Sequence, residues 1–200
     1  MDPAGLVIVE PVSGAALDAV VPVLARLRIA VFAAYPYLYK GTLTYEEKYL
    51  REFARAKDAL VVTATTSKSE IVGCATGSAI EDHHADFARP LVEAGIDLPS
   101  TFYFGESVLL PDYRGQGIGH RFFDAREAHA RDRGYARTCF CAVERPANHP
   151  ARPVDYSPLD TFWTRRGYAK REDITANFDW PEEPGGAQIA HTMHYWFRDL

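Results

Sequence analysis

Apolar positions along this chain alternate between short strand-like runs and longer stretches spaced by three and four. LVIVEPV (6–12) is a strand-like run. Leu17, Val20, Val21, Leu24, Leu27 and Val31 then form one stripe of a helix opened by Ser13 or Asp18. Pro22 suits only a first helical turn, which predicts a late helix start. After an aromatic loop, AAYPYLYKG, Thr44 and Glu47 make a capping-box pattern for a helix over TYEEKYLREFAR. ALVVTATT (59–66) and EIVGCATGSAI (70–80) flank a polar SKS and predict a β-hairpin. Residues 81–100 read as an irregular insertion with a helical turn or two, which could act as a lid. TFYFGESVLL (101–110) is a strand, and GIGHRFFDAREAHARDRG a helix with Ile118, Phe122, Ala125 and His129 on one stripe and Gly134 as its stop. ARTCFCAVE (136–144) is nearly all apolar, as in a buried parallel pair. A Pro-rich passage leads to a short helix, LDTFWTRRG, and two last strand-like runs, DITANFDW and AQIAHTMHYWF.

The order β-α-α-β-β-β-α-β-α-β-β predicts an α/β (α+β) fold: a mixed, mostly antiparallel sheet of about seven strands with helices on both faces. Its 200 residues suit a single domain over 1–200, and 47% hydrophobic with 24% charged residues is ordinary for a globular protein. No apolar run approaches the roughly 18 residues that span a bilayer, so no membrane partner is expected. A net charge of −5 disfavours nucleic acid as a partner. The start, MDPAGLVIVE, lacks a basic leader region. Three cysteines, with Cys139 and Cys141 parallel on one strand face, argue against a disulfide framework. Both features make the cytoplasm the expected compartment.

The chemistry concentrates in PDYRGQGIGHRF (111–122), glycine-rich between a strand and a helix. It is not a Walker A loop, because His120-Arg121 stands where Lys-Ser or Lys-Thr is needed. G-x-G-x-G in mid-chain is also a poor dinucleotide fingerprint. An anion site remains. The amides of residues 115 to 119 lie at a helix N-terminus, glycines 115, 117 and 119 permit close approach, and Arg114 adds a cation.

Arg114-x-x-Gly117-x-Gly119 resembles the R/Q-x-x-G-x-G/A signature of the GNAT superfamily, the acyl-coenzyme A-dependent N-acetyltransferases. The later FWTRRGY is similar to the family's L-Y-x-x-x-G-F segment, and the likeness covers most of the chain from residue 58. It implies a GNAT fold with acetyl-CoA (coenzyme A) as cofactor. The pyrophosphate would rest on Arg114, Gly115, Gln116, Gly117, Ile118, Gly119 and His120. The pantetheine arm would lie between splayed parallel strands, bonded by the backbone near Val108, Leu109 and Leu110, with Phe162 and Trp163 walling the channel. An acetyl group would then move to a primary amine of a small molecule by direct attack. Acetylation of a peptide or protein amine, a longer acyl donor, and a non-catalytic coenzyme A sensor are the alternatives.

On this likeness Glu106, just before the cofactor contacts, is the candidate base, and Glu144 at the end of the facing strand is a second. The family's tyrosine acid is replaced by Trp163, whose indole has no titratable proton. Tyr156 becomes the substitute acid, or merely an anchor of the Pro-rich loop. Tyr35, Tyr37 and Tyr39 lie where the family builds its acceptor pocket, and Glu144 is placed with them. No metal is expected: His83-His84-x-Asp86 reads as a solvated loop, and His191 and His194 as facing solvent or a neighbour. The family's habits add a homodimer to these expectations.

Overall fold

A computed structural model describes residues 6–83 and 85–200, so His84 falls outside the described residues. The elements run β1 (Ile8–Val12), α1 (Gly14–Phe32), α2 (Leu43–Phe53), β2 (Leu60–Thr65), β3 (Ile71–Ala79), α3 (Ala85–Glu93), β4 (Thr101–Tyr103), β5 (Ser107–Leu109), α4 (Ile118–Asp132), β6 (Arg137–Val143), α5 (Asp160–Arg165), β7 (Ala169–Trp180) and β8 (Ile189–Asp199). The sheet has eight strands in the order β1-β2-β3-β4-β6-β8-β7, with β5 also paired to β3. All pairings are antiparallel except β4 with β6.

Side-chain alternation divides the core between the two faces. On β2, Leu60, Val62 and Ala64 join Ile118, Phe122 and Phe123 of α4. Val61 turns the other way, onto Leu17, Val21, Leu24 and Leu27 of α1 and Leu50 and Phe53 of α2. A third cluster covers the far half of the sheet: Leu91 of the 81–100 insertion buries against Tyr103, Cys139, Cys141, Ile174 and Tyr195. The three cysteines are free and buried.

Three local expectations need correcting. Helix α1 does not start late. It runs through Pro22, accepting the loss of one backbone bond because the Leu17–Val21–Leu24 stripe is buried on both sides of it. Helix α2 is capped by Thr42, whose hydroxyl accepts from the Tyr45 amide, two residues before the expected Thr44. The strand over 101–110 is two strands, so there are eight rather than seven.

His83 is also not a solvated loop residue. Its ring packs against Tyr103, Phe87 and Phe53, and Nε2 lies 2.8 Å from Ser78 Oγ. Burial pushes it down to about 4. Its folded value therefore lies below its unfolded one, and the unfolded chain binds the extra proton between about pH 6.5 and 4. Stability falls as pH drops through that window, on the order of 3 kcal/mol. Urea midpoints of wild type and His83→Gln should diverge from each other across the same window. Among the described residues no group of three metal-binding side chains forms. No helix of the described residues is long and apolar enough to cross a membrane.

Candidate active site

The split of the 101–110 strand creates the site. Residues 101–103 pair with 137–139 of β6, and the Phe104 amide donates the last bond, to the Cys139 carbonyl at 2.8 Å. Beyond it the chain leaves β6 but stays antiparallel to β3, to which β4 is also paired. There the Thr76 amide donates to the Glu106 carbonyl, and the Leu110 amide to that of Val72. Because strand groups alternate, the backbone of Ser107 and Leu109 points the other way, into the gap facing β6. The Leu109 carbonyl receives Arg114 Nε at 3.3 Å.

The glycine loop opens beside this gap. Gly115 and Gly117 have φ of 73° and 77°, and Gly117 is the left-handed N-cap of α4, with no side chain capping the helix. The first amides of α4 thus have no intrahelical partner, and a Cβ built on Gly115 or Gly117 would meet nothing within 4 Å. A Cβ built on Gly119 would meet the Phe162 ring at 3.6 Å, so α5 closes onto the start of α4. His120 packs edge-on to Phe162. Its Nδ1 accepts from Arg166 Nη1 at 3.2 Å, leaving the ring proton on Nε2. The residues fit a pyrophosphate group: an uncapped helix N-terminus, a backbone without Cβ atoms, and Arg114 alongside.

Glu106 is only 7% exposed. Its Oε1 lies 2.6 Å from Nη1 of Arg28 on α1, while Oε2 receives a long 3.5 Å bond from the Tyr49 hydroxyl. Arg28 Nε also binds Glu46 Oε2 at 2.5 Å, and Tyr39 Oη donates to Glu46 Oε1 at 2.6 Å. The guanidinium lies over the Tyr49 ring. Burial opposes the Arg28 charge, but Glu106, Tyr49 and Glu46 together raise its affinity for its proton well above normal. Arg28 and the two carboxylates form one desolvated polar unit.

Three loops meet in front of it. Tyr35 is edge-on to Tyr156 at 4.7 Å and tilted against His149 at 5.6 Å. Burial, then the charge fields of Cys141, Tyr156 and Glu106, raise the Tyr37 phenol above its usual range. Burial and then Tyr35 raise Tyr156. Tyr35, Tyr37 and Tyr156 therefore come together, whereas Tyr39 is committed to Glu46. Glu144 stands apart from this group. Lys170 at 2.7 Å holds its carboxyl below the usual range, and His194 Nδ1 is as close. Trp163 packs between Phe140 and Trp196. Tyr168 is buried, bonded to Thr138 and Glu127. His191 does not face solvent; it is buried and stacked 3.8 Å from Trp180.

The model of the acetyltransferase (GNAT) family matches residues 27–154, well over half of the chain. The chain belongs to the GNAT acetyltransferase family. It is an acyltransferase, and the family generally uses acetyl-CoA as acyl donor. No curated protein sequence matches it. Solved structures share its fold at low identity. A ribosomal-protein-alanine N-acetyltransferase from Brucella melitensis superposes with a TM-score of 0.62 at 12% identity, over 96% of this chain and 99% of that one. An N-acetyltransferase from Staphylococcus aureus gives 0.60 at 13%, covering 98% and 99%. An acetyltransferase from Thermus thermophilus gives 0.58 at 15%, covering 98% and 99%.

Within this GNAT protein the sequence reading missed four polar residues of the site. Arg28, Glu46 and Tyr49 surround Glu106, and Arg126 of α4 lies on the opposite sheet face. Arg126 is 1% exposed. It donates to the carbonyls of Phe122, Thr76 and Glu106 and, through Nη2, to Ser107 Oγ at 2.7 Å. A signal was available: Arg28, Glu46 and Arg126 each stand on an apolar helical stripe, four residues from Leu24, Leu50 and Phe122.

Proposed function

We propose that the protein transfers an acetyl group from acetyl-CoA to the primary amine of a small molecule, by direct attack in a ternary complex. The reading rests on the uncapped, glycine-bent N-terminus of α4 opening beside the gap between β5 and β6. Arg114, the amides of 115 to 120 and His120 Nε2–H would hold the pyrophosphate. The Ser107 and Leu109 backbone groups would hold the pantetheine arm as an added strand, with Phe162 and Trp163 beside it. When bound, acetyl-CoA supplies an activated acetyl thioester.

This chain's residues then have distinct tasks. The Ser107 amide, turned away from β3, would bond the thioester carbonyl oxygen and stabilise the charge that develops there. Glu106 Oε2 takes the proton from the attacking amine, while Oε1 stays fixed by Arg28. Tyr35, Tyr37 and Tyr156 form aromatic walls for the amine carrier, and the Glu106 carboxylate favours a cationic acceptor at the entrance.

Thiol release from acetyl-CoA with a panel of small amines tests the reading. At least one amine should give turnover well above hydrolysis, whereas acetylation of peptide amines alone would shift the acceptor class. Gly117→Val should weaken coenzyme A binding at least ~10-fold by calorimetry. A branched side chain at φ 77° costs on the order of 1–3 kcal/mol and intrudes on the cradle. Undiminished affinity would remove the loop from the site.

A further inference from the structure

Arg126 is an unusual buried cation. Its guanidinium is held by three carbonyls and one hydroxyl, over the faces of Phe104 and Phe123. Among the described residues it makes no ion pair, since Glu106 is engaged with Arg28 and Glu127 with Arg166 and Arg198. Burial brings it down only to about 10, so it stays charged at neutral pH. A buried charge is normally balanced by a partner. Glu106 and Glu127 act on this one only through space, each being paired directly to another arginine, so it also suits negative charge that arrives or develops nearby.

The one hydroxyl Arg126 touches is placed to pass that field on. Ser107 is the first residue of β5, immediately past the strand split, and it is exposed. Its Oγ accepts from Arg126 Nη2, so its own hydrogen is free to donate elsewhere. Neither Trp163, which has no hydroxyl, nor Tyr168, whose hydroxyl is buried against Thr138 and Glu127, supplies a donor at the gap.

We propose that Ser107, polarised by Arg126, is a catalytic residue that donates a hydrogen bond to the sulfur leaving in acetyl transfer. This deepens the reading above and rests on it. In the step, the amine nitrogen forms the N–C bond and the C–S bond breaks, with its electron pair going to sulfur. The amine proton passes to Glu106 and then to solvent. Ser107 keeps its own proton and stabilises the sulfur anion until solvent protonates it, so the products are the amide and free thiol. Arg126 acts through Ser107 and is a positioning residue.

Ser107→Ala, at an exposed position, separates this role from packing. The expected result is a fall in kcat of about 10-fold or more with KM for acetyl-CoA unchanged. A binding measurement reads the same contact without turnover. By calorimetry at alkaline pH, the preference of wild type for coenzyme A over its desulfo analogue should shrink several-fold in Ser107→Ala. Ser107→Thr, which keeps the hydroxyl, should restore both. Unchanged kcat, or a lower kcat with an unchanged binding preference, overturns the assignment of Ser107 alone. Wild type that binds neither compound overturns the assignment together with the cofactor site.

Discussion

Replacing Glu106 by glutamine should lower kcat by about 10³-fold while leaving coenzyme A affinity within about twofold. The side chain is isosteric. The strand split does not depend on it, because the bonds that fix residue 106 run through its carbonyl, which accepts from the Thr76 amide and Arg126. What changes is Oε2, the carboxylate oxygen not occupied by Arg28. An amide in its place accepts no proton, so a cationic amine stays protonated at the point of attack. Steady-state kinetics with the best amine, alongside calorimetry with coenzyme A, checks both halves. A variant with near wild-type kcat and an unchanged pH profile would remove Glu106 from the proton path.

Arg28→Met should be the most destabilising single change in the site, by about 3–5 kcal/mol in urea unfolding at pH 7. For a chain of this size that is a fall of about 10 °C in Tm. Methionine fills the helical position and packs well against Leu24 and Leu27, so the loss is electrostatic. Glu46, with 0% exposure, and Glu106 would both be left buried without their cation. Arg28→Met combined with Glu46→Gln should recover part of the loss, because one stranded carboxylate is gone. If the double variant is no more stable than the single one, the cost lies in packing and not in charge.

The glycine-bent, uncapped start of α4 was legible in the sequence because its determinants are local. The spacing of Arg114, Gly117 and Gly119 sets turn, backbone approach and helix start within six residues. The split strand was half legible. Gly105-Glu106 interrupts the apolar run TFYFGESVLL, but only the pairings show that the chain keeps β3 on one side and parts from β6 on the other there. The polar unit around Glu106 was illegible as a unit, since Arg28, Glu46 and Glu106 are brought together by two helices and a strand distant in sequence. Each charge on an apolar stripe announced a buried role without naming its partner. The aromatic loop was overread for a related reason: Tyr39 has the same neighbours in sequence as Tyr37, yet its hydroxyl is claimed by Glu46.

The loop that carries Tyr35 and Tyr37 is held from three sides. Arg145 donates to the carbonyls of Pro36 and Tyr37, Trp180 Nε1 donates to that of Tyr37, and the Lys40 amide reaches Pro181. Arg145 is itself tied to Glu182. The α1–α2 loop, the segment after β6 and the β7–β8 turn are therefore cross-braced into one frame. Their amides should exchange with solvent hydrogen together, in a single opening event, rather than loop by loop. If this frame receives the acceptor, as proposed, it is a mould already cast, and discrimination among amines would follow from how well each fills it.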